Sequence, residues 1–498
     1  MPPFKTQPYK HQLNEYDGHR DDRARALIWQ MRTGKSKAMI DLACYLWSIA
    51  LDIDGVLVVA PNNVHLNWAR RELPAHHWDG VPYDFFVWSS DKSDRADYAM
   101  AYDRICAEQR KLVWYMVNED ALALKKARQW LAGFVRSRRR LLVIVDEVHG
   151  FRWATSKRWQ GLMAVMNSGR TRYRRILSAN PLDNNPLHAY AEFELLQKHA
   201  LGFETYGDFE VAYGVKEPIY VPGGYSRNGT KRSPRKREAV TGYKDLDDLR
   251  SRVAKWSSLV LRAEVDDMPM LLRGRVEFEL DRRQKALHNA LVRETLARLD
   301  SGELIPPAEG GVLAIRLQQI ASGFAVDEDG NVLDVVPDDE NPRLAALLSE
   351  VRLAPGKFLV WCRFREDVVR AHAYLRKHGV DVAHYYGGTT DKERVRAEDG
   401  MRDPDGLRGI VGQFQAGGQG LDFSSAGDIF WYSHTTDLLR RRQADERATK
   451  IGGRRIGVTD IVAAGSGDEE MLAVLEERTQ TADFLTGDGL RRYLRLIS

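Results

Sequence analysis

Two short runs made almost wholly of apolar residues, Gly55-Val56-Leu57-Val58-Val59-Ala60 and Leu141-Leu142-Val143-Ile144-Val145, constrain this chain more than any other feature. Each is short, rich in β-branched residues and free of polar alternation, so each reads as a parallel strand buried on both faces. Helical patterns lie around them. Over residues 37–50, Met39, Ala43, Leu46 and Ala50 fall on one face. Strands alternating with helices predict an α/β fold whose parallel sheet is covered on both sides. Ligands of such sheets bind at the carboxyl ends of the strands.

Two motifs are expected at that edge. Gly34-Lys35-Ser36 opens a helical pattern, and Asp146-Glu147-Val148-His149 follows the second apolar run. Together they read as the halves of a nucleoside-triphosphate site, with Lys35 on the β- and γ-phosphates, Ser36 and Asp146 on Mg²⁺, and Glu147 orienting the attacking water. The general phosphate-loop pattern has a glycine where this chain has Trp29. A chance tripeptide in a surface turn and a solvated strand end are the plainer alternatives, and the pairing of both motifs in the expected order argues against them.

Composition limits the other classes. A chain of 498 residues is expected to form two to four domains. No apolar run has the length of a membrane span, and Met1-Pro2-Pro3-Phe4-Lys5 lacks a signal-peptide core, so a cytoplasmic protein with no membrane partner is expected. Cys44, Cys106 and Cys362 stand far apart, which predicts neither disulfides nor a zinc or iron–sulfur site. The 74 basic and 70 acidic residues nearly cancel, so any nucleic-acid footprint must be local. The basic tract Lys231-Arg232-Ser233-Pro234-Arg235-Lys236-Arg237 is one candidate, read as a mobile loop that either holds phosphates or is plain solvated surface.

These residues resemble the superfamily-two ATPases, and within them compact Swi/Snf-type DNA translocases of phage and bacterial genomes. The resemblance covers nearly the whole chain. Residues 8–12, ending in Gln12, resemble the Q motif, whose glutamine reads adenine. Residues 31–36 resemble motif I, with Arg32 where many members have glycine, followed by Thr33, Gly34, Lys35 and Ser36. Residues 58–68 are similar to motif Ia, including Asn62, Asn63 and the Asn67-Trp68 pair. Leu177-Ser178-Ala179-Asn180-Pro181 occupies the place of motif III, and residues 262–269 are similar to the segment that leaves the first lobe.

The second half continues the series. Residues 356–364, ending in Arg363-Phe364, resemble motif IV. Residues 409–423, with Gln415, Gly420 and Asp422, resemble motif V. Gln443-Ala444-Asp445-Glu446-Arg447-Ala448-Thr449-Lys450-Ile451-Gly452 resembles motif VI, with Lys450 in place of its second arginine. A lysine there is a compact point charge rather than a planar fork of donors.

The resemblance implies two tandem RecA-like lobes, at residues 1–200 and 341–498, with an insertion and helical region carrying the basic loop at 201–340. It implies ATP and Mg²⁺ as cofactors, with Gln12, residues 32–36, Gly420 and Asp422 on the nucleotide and Gln443, Arg447 and Lys450 acting with Lys35, Asp146 and Glu147. Asn62, Asn63, Asn180, Arg363 and Gln415 are expected on DNA, beside Lys231, Arg232, Arg235, Lys236 and Arg237. The implied function is a DNA-stimulated motor on duplex or forked DNA, indifferent to sequence, in a bacterial or phage-infected cytoplasm, with replication or recombination proteins as further partners. A strand-separating helicase and a nucleotide-gated DNA clamp with little turnover are the alternatives.

Overall fold

The computed structural model describes residues 3–62, 64–179, 185–221, 224–225, 231–232, 235–300, 307–327, 329–415, 423–473 and 475–476. Side chains of residues 219–237 and 296–311, and of Asp391 and Leu439, lie outside the description. The chain divides into two units, Met1–Val265 and Asp266–Ser498. The boundary falls within the segment 262–269 singled out from the sequence.

In the first unit, helix α1 (Lys10–His19) precedes strand β1 (Ala24–Trp29), and α2 (Lys35–Ser48) follows it. Then come β2 (Gly55–Ala60), β3 (Tyr83–Val87), β4 (Leu112–Asn118), β5 (Leu141–Val145) and β6 (Thr171–Ser178). After these, β7 (Gly214–Val221), β8 (Gly224–Tyr225), β9 (Lys231–Arg232) and β10 (Arg235–Tyr243) precede β11 (Ser257–Val260). Seven of the described strands form one sheet in the order β11-β1-β6-β5-β2-β4-β3. Every pairing in it is parallel. The apolar runs β2 and β5 sit at its centre and are buried along their whole length, as residues with nothing to offer water require. Leu57, Val59, Val143 and Val145 pack with Leu131, Phe134 and Leu162 from the crossover helices.

In the second unit, β12 (Leu271–Phe278), β13 (Phe324–Val326), β14 (Val332–Asp334), β15 (Lys357–Cys362), β16 (Val382–Tyr385), β17 (Gly409–Gln413), β18 (Ala426–Trp431) and β19 (Ile456–Ala463) follow in sequence. Six of them form a second sheet, β12-β19-β18-β15-β17-β16, again wholly parallel. Alternate residues of β15 feed opposite cores. Phe358, Val360 and Cys362 pack with Val368, Ala371 and Leu375, whereas Leu359 and Trp361 pack with Met401 and Ala444. Two α/β lobes with parallel sheets, the tandem RecA-like arrangement, are therefore present.

The segment 201–340 differs from its reading as one inter-lobe region. β11 closes one edge of the first sheet, and β12 opens the second. The basic tract is not a loop along its described length. β10 pairs antiparallel with β7 over eight residue pairs, from Arg235 with Val221 to Tyr243 with Gly214, and β8 pairs with β9. Val215, Ile219, Val221 and Val240 favour extended backbone, a signal that the flanking Gly and Pro residues obscured. No helix among the described residues is long and apolar enough to cross a membrane.

Candidate functional site

Because the first sheet is wholly parallel, the segments after β1, β2, β5 and β6 emerge at one edge. The loop after β1 is shaped for close approach by a ligand. Gly34 takes φ 83° immediately before α2, a conformation other residues adopt only with strain, and a Cβ there would press on the Gln12 side-chain amide. Arg32 also lies in the left-handed region, at φ 65°, a conformation that favours glycine. The buried Thr33 hydroxyl donates to Gln30 O at 2.7 Å, and Lys35 Nζ donates to Trp29 O at 2.7 Å. Ser36 is half-buried in the first turn of α2, where amide groups face an anion. Trp29 is a core residue, its indole donating to Ser258 Oγ of β11 at 2.9 Å.

Gln12 is buried against this loop. Its Nε2 donates to Gly34 O at 2.9 Å, and its Oε1 accepts from Tyr9 N at 2.8 Å. The side chain thus joins α1 to the loop. His11, within the Q-motif segment but given no role there, does the same at 2.7 Å from Nε2 to Thr33 O.

The carboxylate pair follows β5. Asp146 and Glu147 are both buried, and Glu147 is held at φ 52°, ψ 58°, a left-handed conformation rare for a side chain of its kind. Asp146 Oδ1 accepts from Glu147 N at 3.1 Å, and its Oδ2 accepts from Trp68 Nε1 at 3.0 Å. Burial first, and the Glu147 charge second, push the Asp146 carboxyl up to about 6. Burial opposes the charge of Glu147 too, but the His149 hydrogen bond and the Lys35 charge hold it below its ordinary value. His149 Nδ1 lies 3.4 Å from Glu147 Oε2. Burial works against an imidazolium, yet Glu147, with Glu192 and Glu119 nearby, raises His149 to about 9.

Trp68 is the other functional candidate whose role the sequence left unstated. Its ring is fully buried, and its tie to Asp146 links motif Ia to motif II. Asn62 is exposed in the turn after β2, while Asn63 and Asn180 lie outside the described residues.

In the second unit, Arg363 follows β15 and its guanidinium donates to Gln318 Oε1 at 2.8 Å. Gln415 is exposed after β17, and Gly420 and Asp422 lie outside the described residues. Gln443 is half-buried in the helix Leu438–Asp445, Arg447 is buried just beyond it, and Lys450 is exposed. Arg454 packs against Gly356 and Gly427 at the amino ends of β15 and β18 and donates to Ser425 O at 3.1 Å. Lys231, Arg232, Arg235, Lys236 and Arg237 have described backbone only.

The nucleotide and its metal fit the first-unit edge. A buried carboxylate and a hydroxyl are hard oxygen donors of the kind Mg²⁺ takes, few in number because phosphate and water complete its shell. The Gly34 cradle and the start of α2 suit phosphate oxygens, and the Lys35 charge is felt by both carboxylates.

Residues 342–452 match the helicase conserved C-terminal domain family. A curated relative, the DNA annealing helicase and endonuclease ZRANB3 of Mus musculus, is 23% identical over 354 residues, which are 70% of this chain and 30% of that protein. This chain therefore spans under a third of that relative's length. Among solved structures, the Sulfolobus solfataricus SWI2/SNF2 ATPase core in complex with dsDNA aligns over 98% of this chain and 94% of that one, at 15% identity and a TM-score of 0.41. At that score the strand order, not the superposition, carries the fold assignment. Residues 342–452 thus match a helicase C-terminal domain, and with the aligned relative and the chain's own motif series they make this chain similar to helicase-like ATPases of the Swi/Snf type.

Proposed function

We propose that this chain is an ATP-driven motor that moves on duplex or forked DNA, largely without regard to sequence, and remodels DNA or protein–DNA complexes. The observation that carries the reading is the convergence of the Lys35 loop and the Asp146–Glu147 pair at one edge of a parallel sheet. In this reading Lys35 and the first amides of α2 bind the β- and γ-phosphates, and Ser36 and Asp146 hold the metal. Mg²⁺ when bound neutralises phosphate charge. Glu147, kept ionised by His149, accepts a proton from the water it orients. Gln12 keeps the loop in register, and Arg447 and Lys450 meet the charge that grows on the transferred phosphoryl group.

DNA is proposed to lie against backbone-reading groups: Asn62, Asn63, Asn180, Arg363, Gln415 and the basic tract of the ribbon. Contacts to phosphate rather than base edges make binding salt-sensitive and indifferent to sequence. A bacterial or phage-infected cytoplasm, with replication or recombination proteins as partners, completes the proposed reading.

One observation favours a second reading, strand separation. The β7–β10 ribbon is a two-stranded antiparallel element outside the main sheet and carries Arg235, Lys236 and Arg237 of the basic tract, a form able to wedge between the strands of a duplex. An ATPase assay with and without duplex DNA tests the motor, and stimulation suppressed by salt is the expected result. Turnover that is negligible with and without DNA, despite ATP binding, would sink it in favour of a clamp. Displacement of a labelled strand, lost when the five basic residues are neutralised while ATPase persists, would establish the second reading.

A further inference from the structure

The end of α2 places an apolar knuckle on the surface. Leu51 takes φ 52° and is 66% exposed, and Ile49 beside it is 54% exposed. The left-handed turn closes the helix, with Asp52 N donating to Leu46 O at 2.8 Å. Glycine is the usual residue for that turn, because a Cβ there carries a steric cost. An exposed leucine recovers little of that cost by burial.

Guanidinium groups surround the knuckle. Asp52 accepts from Arg23 and Arg140 at 2.7 Å, from Arg172 at 3.3 Å and from the Tyr173 hydroxyl at 2.8 Å. Arg140 also donates to Leu51 O at 2.7 Å. The three arginines remain about half exposed, so Asp52 fixes their positions without hiding them. Arg139 and Arg170 are exposed at the amino ends of β5 and β6, and among the described residues their guanidinium groups make no hydrogen bond or ion pair. All of these cations are arginines, whose forks take carboxylates in pairs.

We infer that residues 49–51 and the arginines around Asp52 form a docking surface for an acidic protein segment, one that sets carboxylates around an apolar side chain. The DNA backbone would satisfy the arginines but offers nothing aliphatic to Leu51 and Ile49. A protein segment covers both, with an apolar centre and a charged rim. The surface lies at the amino edge of the first sheet, opposite the Lys35 loop. A strand of five or six residues separates the two edges by roughly 17–20 Å, so the segment can be held while the nucleotide site turns over.

The test uses the full chain and a fluorescein-labelled peptide with a central Leu-Phe pair flanked by Asp and Glu, read by anisotropy. A Lys-flanked peptide and duplex DNA serve as controls. Leu51→Gly is expected to raise Tm, because it relieves the left-handed strain, and to weaken the acidic peptide by about ten-fold or more. The double variant Arg139→Glu/Arg170→Glu is expected to weaken it similarly while leaving duplex-DNA affinity unchanged. No binding by the native chain, binding that survives Leu51→Gly, or a lowered Tm in that variant would overturn the inference. Loss of DNA rather than peptide affinity in the arginine variant would also overturn it, assigning the patch to nucleic acid.

Discussion

The indole Nε1 of Trp68 donates to Asp146 Oδ2 at 3.0 Å, from a fully buried ring in the π-helical turn Trp68–Glu72. One oxygen of the proposed metal-binding carboxylate is thus held by a residue of a different motif. Trp68→Phe keeps the packing and removes the donor. A hydrogen bond to a charged group contributes about 1.5–3 kcal/mol, so the Mg²⁺ concentration for half-maximal ATPase is expected to rise by about ten-fold or more. An unshifted Mg²⁺ titration, with only Tm lowered, would leave Trp68 a packing residue.

Lys35→Ala and Glu147→Gln are expected to stop turnover by different routes. Loss of Lys35 removes the proposed phosphate ligand, so nucleotide affinity should fall. Glu147→Gln keeps ATP bound but leaves the water unactivated. Equilibrium binding of a fluorescent ATP analogue beside steady-state ATPase separates the two, and near-normal hydrolysis in Glu147→Gln would remove it from the catalytic role.

Stability is expected to depend on pH through His149. Its pKa in the fold is raised from 6.5 to about 9 by the ion pair with Glu147, against the effect of burial. The contribution of the pair is therefore complete below about 6.5 and is lost as pH rises through about 9. His149→Gln should lower stability by on the order of 1–3 kcal/mol near neutral pH and flatten the alkaline part of the Tm profile. A variant whose Tm falls as steeply between pH 7 and pH 10 as the native protein would refute this.

Arg32 sits at φ 65° in the phosphate loop. Arg32→Gly should relieve about 1 kcal/mol of backbone strain and raise Tm without weakening nucleotide binding. A lowered Tm would show that the contacts of the arginine side chain outweigh the strain.

Lys450→Ala is expected to reduce turnover while ATP binding stays intact, because the charge it is proposed to meet develops in the transition state. Lys450→Arg should keep or raise the rate, and Arg447→Ala should damage it at least as much. Arg454 is engaged at the amino ends of β15 and β18, so Arg454→Ala should cost stability rather than rate. A silent Lys450→Ala with an impaired Arg454→Ala would reverse these assignments.

Much of the architecture was legible because β2, β5 and β15 are apolar runs that nothing but a doubly covered sheet accommodates. The helix after β15 likewise follows its amphipathic pattern, at Arg365–Lys377. β11 was not legible. It has four residues, Leu259 is exposed, and its partner β1 lies more than two hundred positions away, so no local pattern marks it. The ribbon was missed because charge and turn residues masked its extended backbone. At the site, spacing pointed to Lys35, Asp146 and Glu147, but the positive φ of Arg32 and Glu147 and the ties of Trp68, His11 and Gln12 depend on contacts between distant segments.

β1 pairs with β6 on one side and β11 on the other, and both are made long after it. During synthesis β2, β4 and β5 have one another as partners while β1 has none. A long-range closure is costly until its contacts form. The Lys35 loop hangs on the end of β1, so on the proposed reading a growing chain gains its nucleotide site only once β6 has emerged, and the loop is not fully anchored until β11 follows. Ribosome-bound chains ending after β5 should therefore be partially folded yet blind to ATP.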